Sequence, residues 1–194
     1  MSASPRAKHL RSTTRHGIPS GAKRLIFRFV ITFALLLVGF YALTFLPFLS
    51  AADGFLPKLQ VLNAKASAAV MNVFGEGATV HEMTINSSRY SVNIAHGCDA
   101  IEPLALFVAA VVAFPVAFRT KVPGLLIGAA LLAVLNLIRI ISLFYVGVHW
   151  RAGFELMHVD VWQPAFVVFS LFFWVVWALW ATKPKAHPRA EVAD

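Results

Sequence analysis

Four apolar stretches, 25–46, 100–118, 122–148 and 161–181, decide the solvent in which this chain folds. Each is close to or beyond the roughly 20 residues that a helix needs to cross about 30 Å of hydrocarbon. Of the 194 residues 59% are hydrophobic, a composition suited to lipid surroundings and not to a water-soluble core. The expected fold is all-α and integral to a membrane, with about four transmembrane helices. Pro115 falls near the end of the second stretch, where it can bend the helix, and the third is long enough to tilt.

Charge then orients the spans. The chain carries 17 Lys and Arg against 9 Asp and Glu. Arg6, Lys8, Arg11, Arg15, Lys23 and Arg24 precede the first stretch, Arg119 and Lys121 separate the second from the third, and Lys183, Lys185 and Arg189 follow the fourth. The other side carries only Lys58, Lys65, Arg89 and Arg151. The positive-inside rule puts both termini in the cytoplasm. The basic charge is thus a topology signal with an attraction for anionic membrane lipids, and no nucleic-acid partner is expected. Residues 1–24 read as a basic, disordered cytoplasmic tail, 25–182 as a membrane-embedded catalytic domain, and 183–194 as a second tail. Ser50-Ala51-Ala52 is a weak match to a signal-peptide cleavage site, but the preceding run is longer than the usual h-region, so a retained anchor is expected.

Between the first two spans lies an extracytoplasmic segment. Phe55, Leu59, Leu62, Ala66, Ala69, Val70 and Val73 recur at helical spacing and predict an amphipathic helix along the outer leaflet or across the bundle. Gly75-Glu76-Gly77 ends that pattern. Val80 to Ile85 is β-prone, Asn86-Ser87-Ser88 is turn-like, and Tyr90, Val92 and Ile94 alternate with polar residues. A short β-hairpin leading to Cys98 is expected. Asp99 and Glu102 resemble a capping box for the second span, with Pro103 in its first turn. A short loop, Trp150 to Asp160, precedes the last span.

Three polar side chains on the extracytoplasmic side carry the chemistry. Cys98 is the chain's one cysteine, so no intramolecular disulfide can form. At a helix N-terminus the dipole favours the thiolate, which attacks carbonyl carbon, and Gly97 would let a substrate backbone approach. A free cysteine is more commonly a small buried hydrophobe, and Asp99 and Glu102 oppose ionisation unless a cation compensates. Arg139 lies within an apolar span, at a cost of at least about 2.5 kcal/mol, and Asn136, Arg139 and Ser142 form a stripe on one helix face. It either pairs structurally with Asp99, Glu102 or Asp160, or supplies positive charge beside Cys98 and donors for an oxyanion. His158 has Glu155 three residues before it, able to orient the imidazole on a helix. His96 and His149 remain rivals as the base. Glu155, Asp160 and these histidines lack the tight spacing of a metal motif, and neither metal nor cofactor is expected.

With these residues in view, the chain resembles the exosortase/archaeosortase family of membrane cysteine transpeptidases. The resemblance rests on Gly97-Cys98-Asp99-Ala100-Ile101 opening one span, Asn136-Leu137-Ile138-Arg139-Ile140 within the next, and His158 before the last. The runs from Cys98 to Pro103 and from His158 to Pro164 look most like exosortase H. That resemblance implies a bacterial inner-membrane enzyme with its active site facing the periplasm. It implies exported protein substrates with a C-terminal sorting tail, of the Ile-Pro-Thr-Leu type for that subfamily. Cys98 would be the nucleophile, His158 would handle protons and Arg139 would stabilise the tetrahedral intermediate, with Asn136, His96 and Glu155 in support. Asp99 after the cysteine, and Asp160 and Trp162 after the histidine, depart from the common family pattern. The opposing readings are a non-enzymatic assembly or transport protein that uses Arg139 as a counter-charge, and a metal-dependent membrane hydrolase.

Overall fold

The computed structural model describes residues 20–44, 46, 54–94 and 99–183. Helix α1 spans Ser20–Thr44 and α2 Phe55–Val73, followed by strands β1 Thr79–His81, β2 Thr84–Asn86 and β3 Ser91–Asn93. Helix α3 covers Ile101–Ala113, α4 Phe118–His149 and α5 Gln163–Ala181. A 3₁₀ turn at Arg151–Gly153 and a π-helical segment at Leu156–Trp162 join the last two. Helix α1 begins inside the stretch read as tail from the sequence.

Among the described residues three helical runs are long and apolar enough to cross a membrane: Gly21–Thr44, Phe118–His149 and Arg151–Ala181. They make the chain a multi-pass membrane protein. The stretch 100–118 does not form a helix of that length. Helix α3 has 13 residues, about 20 Å at 1.5 Å per residue. Its end follows from Pro115, which disfavours helical backbone in the residue before it; Phe114 is extended, at φ −67° and ψ 135°. Lys121 reaches back from α4 and donates to the Val112 carbonyl at 2.6 Å, satisfying one acceptor that the helix end leaves open.

The expected loop at 150–160 is helical instead. The chain reverses at Trp150, whose backbone leaves the helical region, and Gly153 lies against the Trp150 ring where a Cβ would overlap it. Beyond Gly153 the chain meets no Gly or Pro until Pro164, so helix continues into α5 through the π-helical turns.

The expected hairpin is a three-stranded antiparallel meander, in the order β1-β2-β3. The run Val80 to Ile85 is broken by a turn at Glu82 and Met83, with Glu82 left-handed at φ 53°. Ile85 pairs with Val92 and both point into a core with Ile94, Ala64, Ala68, Met71, Ile140 and Phe144. The alternation of Tyr90, Val92 and Ile94 holds: the last two are buried and Tyr90 packs against the same core.

Helix α2 presents the face opposite to the one its large apolar residues mark. It buries Leu56, Gln60, Ala64, Ser67, Ala68 and Met71, while Phe55, Leu62 and Val73 are 57%, 61% and 82% exposed. Small side chains let the helix approach the sheet and α4 closely, as in helix packing within membranes.

A second core joins α3, α4 and α5 through Phe107, Leu132, Phe166 and Trp177. Two hydrogen bonds tie α5 in place: Ser170 Oγ donates to the Pro103 carbonyl at 3.2 Å, and Trp177 Nε1 to the Thr120 carbonyl at 3.3 Å.

Candidate active site

Helix α4 brings the first component. Asn136 and Arg139, one turn apart, are each 1% exposed and face the interior of the bundle. Ser142 Oγ donates to the Arg139 carbonyl at 2.8 Å, so this member of the stripe satisfies itself on its own helix. The Arg139 guanidinium carbon stands 5.3 Å from the centre of the Phe166 ring on α5, a cation–π distance. Both side-chain atoms of the buried Asn136 amide lack a hydrogen-bond partner among the described residues. A buried amide left this way costs on the order of 1–3 kcal/mol, an expense typical of groups kept for something other than packing.

Arg139 reaches a cavity of about 400 Å³. Tyr41 of α1, Glu102 and Pro103 of α3, Val159 of the π-helical segment, and Gln163 and Phe166 of α5 also line it. Its walls are mainly apolar, with a cation deep inside and a carboxylate at the start of α3. That composition suits a peptide whose carbonyl can meet the guanidinium while its side chains contact hydrocarbon.

His158 stands on the π-helical segment, half-buried, one residue before the cavity-lining Val159. Its ring packs beside Phe154, with centroids 5.9 Å apart. The fold thus sets His158 beside a residue, Val159, that lines the same cavity as Arg139, although the two lie on different elements. Glu155 itself is exposed, on the turn preceding His158.

His149 belongs elsewhere. Its Nδ1 lies 2.9 Å from the Tyr145 carbonyl oxygen and its Nε2 lies 3.3 Å from Arg89 Nη2. Arg89 in turn pairs with Glu76 at 2.8 Å. These contacts hold the sheet to the end of α4 and leave His149 a structural role. Among the described residues no three His, Cys, Asp or Glu side chains converge as metal ligands would.

Cys98 and His96 lie outside the described residues. The residue next to Cys98 in the chain is well fixed. Asp99 is 7% exposed, and its Oδ2 accepts a hydrogen bond from Gln60 Nε2 at 3.1 Å. Its Oδ1 accepts from the Ile101 N–H at 3.2 Å, and its backbone carbonyl from Asn63 Nδ2 at 3.5 Å. The expected capping box is thus replaced by an Asx turn. Ala100, left-handed at φ 59°, stands at the helix cap position, and Asp99 reaches two residues ahead. Gln60, Asn63 and Phe166 were not singled out from the sequence. Gln60 and Asn63 share the i, i+3 spacing of a polar patch on an otherwise apolar helix, which was the available signal.

The family model described as transmembrane exosortase matches residues 25–178. No curated protein and no solved structure matches the chain. The match runs from α1 through most of α5 and so includes every element that lines the cavity around Arg139. On that extent of agreement, the chain belongs to the transmembrane exosortase family.

Proposed function

We propose that this protein is a cysteine transpeptidase that cleaves the C-terminal sorting signal of exported proteins, with Cys98, Arg139 and His158 as its catalytic residues. The observation that carries this reading is the buried Arg139 at a cavity also lined by Glu102 and Pro103, at the end of α3 that follows Cys98 in the chain, and by Val159, the neighbour of His158. Family membership supports the reaction class.

In the proposed reaction His158 takes the thiol proton of Cys98, and the thiolate attacks the carbonyl carbon of the scissile peptide bond. The carbonyl π electrons move onto oxygen, and Arg139 donates hydrogen bonds to that oxyanion. As the intermediate collapses, the C–N bond breaks and His158 returns the proton to the leaving amine. The hydrophobic tail departs, and the substrate is held on Cys98 as a thioester. An acceptor nucleophile then attacks the thioester carbonyl and restores the thiol.

Topology fits this chemistry if α3 is the fourth crossing, short as it is. Helices α3 and α4 are antiparallel neighbours joined by a tight turn, so α3 returns the chain to the side from which α4 starts. Both termini are then cytoplasmic, the active site faces the periplasm, and the enzyme resides in the bacterial inner membrane. The outward face of α2, with Phe55, Leu62 and Val73, would lie in the outer interface. A substrate anchored by a hydrophobic tail helix would present its scissile bond at that depth. Similarity to exosortase H makes an Ile-Pro-Thr-Leu type motif the signal to try first.

The position of Arg139 over Phe166 also favours a second reading, in which the guanidinium is a packing or counter-charge element of a non-enzymatic membrane protein. Co-expression of a tailed reporter with the Arg139→Lys variant separates them. Lysine keeps the charge but not the planar fork, so a catalytic site fails and a counter-charge site survives.

A further inference from the structure

The opposite end of the bundle carries a polar pocket that the proposed reaction does not use. It has a volume of about 210 Å³, and its lining includes Arg28, Phe29 and Thr32 of α1, Phe114 and Pro115 after α3, and Lys121 of α4. Two cations from different helices and a hydroxyl share this lining with an aromatic wall. That wall is rigid: the Phe29 ring lies 6.2 Å from Phe114 and 5.9 Å from Trp174. Lys121 is anchored by its bond to the Val112 carbonyl, which occupies one of three ammonium donors and leaves two.

Among the described residues these cations have no carboxylate counter-ion nearby. The sequence contains no Asp or Glu from residue 1 to 52 or from 103 to 154. The carboxylates among the described residues, Glu76, Glu82, Asp99, Glu102, Glu155 and Asp160, sit with the sheet, the start of α3 and the segment after α4, at the other end. Lys23, Arg24 and Arg119 add positive charge to the pocket's own end. Concave positive surface with apolar walls, and no carboxylate beside it among the described residues, favours an anion from outside.

The surroundings indicate the phase from which that anion comes. Around Arg28, Leu25, Ile26, Phe27 and Val30 are 51%, 54%, 64% and 52% exposed on a membrane-length helix. A soluble anion would have to approach past hydrocarbon-facing side chains, whereas a lipid already has its phosphate at this depth and its chains beside Phe29. We propose that the pocket between α1, the end of α3 and the start of α4 binds the phosphate of one anionic phospholipid through Arg28 and Lys121, with Thr32 as a further hydrogen-bond donor. Bound there, the lipid would clasp α1, which packs on α3, to the rest of the bundle.

The test is native mass spectrometry of the full chain in detergent, with phosphatidylglycerol as probe and phosphatidylcholine as the comparison. The wild type should retain one phosphatidylglycerol in preference to phosphatidylcholine. Arg28→Gln with Lys121→Gln should weaken that retention by about fivefold per cation removed. Glutamine at 121 keeps a donor for the Val112 carbonyl. A second pair, Arg24→Gln with Arg119→Gln, removes the same charge outside the pocket and should leave retention within about twofold, since screened surface charge acts weakly. Equal loss in both pairs would reduce the effect to diffuse attraction and overturn the site. Undiminished retention in the first pair would overturn it too, and displacement of the lipid by excess inorganic phosphate would reassign the pocket to a free anion. Should the double variant lose its fold, Arg28→Gln alone, on an exposed position of α1, must show the single-cation loss or the proposal fails.

Discussion

Gln60 donates its side-chain amide to the Asp99 carboxylate at 3.1 Å, joining residues 39 apart in the chain. The bond ties α2 to the residue that follows Cys98 and precedes α3. Gln60 is itself 3% exposed, so the contact is shielded from water. Gln60→Ala leaves a buried carboxylate oxygen short of a donor and should cost about 1–3 kcal/mol, read as a lowered thermal midpoint in detergent. If Asp99 also positions the nucleophile, Gln60→Ala should slow thiol alkylation of Cys98 or change its pH profile. An unchanged alkylation profile in a destabilised variant would restrict Gln60 to a structural role.

Arg139→Ala should reduce processing of a tailed substrate by about 10²–10³-fold, the range for loss of an oxyanion donor. Arg139→Lys should recover little of it, because a point charge does not reproduce the fork of N–H donors. Turnover measured in reconstituted vesicles decides. Full activity in the lysine variant would favour the counter-charge reading.

The histidines should separate in the same assay. His158→Ala should abolish cleavage, whereas His149→Ala, which disturbs only the contacts with Tyr145 and Arg89, should retain most of it and lower stability by about 1 kcal/mol. The reverse ranking would overturn the assignment of the proton-handling group.

Much of this arrangement was legible in the sequence because lipid makes polar residues conspicuous. Arg139 and Asn136 stood out within an apolar run, and both are buried inside the bundle, Arg139 at the cavity. The face by which α2 packs inward was harder to read. Here Leu62 and Val73 face outward, and Ala64, Ser67 and Ala68 pack inward. Small-residue contact has little hydropathy signal. The π-helical turns around His158 left no pattern to read either, since a change of helical period over seven residues is shorter than the window that would detect it. Contacts such as Gln60 with Asp99 depend on tertiary approach that no local pattern encodes.

The packed face of α2 gives a prediction of its own. Ala64→Leu should destabilise the fold by about 1–3 kcal/mol through overpacking, because Ala64 is fully buried against the sheet core. Leu62→Ser should leave the folded structure intact and weaken contact with the outer leaflet. Thermal melts in detergent against melts in vesicles compare the two. Similar losses for both in detergent would mean that the packed face of α2 has been misassigned.

Glycines in α4 set how closely its neighbours approach. A Cβ at Gly128 would overlap the Phe107 ring, and one at Gly124 would overlap the Trp177 indole. Gly128→Ala should therefore cost about 1–3 kcal/mol despite alanine's better helix propensity. A raised melting temperature would show that Phe107 moves aside freely.

In the proposed reaction Cys98 forms a covalent link to a substrate carrying a C-terminal sorting tail. The direct measurement is intact-mass analysis of a co-expressed reporter bearing an Ile-Pro-Thr-Leu type motif, a hydrophobic helix and a basic cluster, with wild-type enzyme and Cys98→Ala side by side. Loss of the tail is expected with wild type alone, at a bond within or beside the motif, with a new C-terminal mass that identifies the acceptor. Equal tail loss with Cys98→Ala would contradict that covalent link.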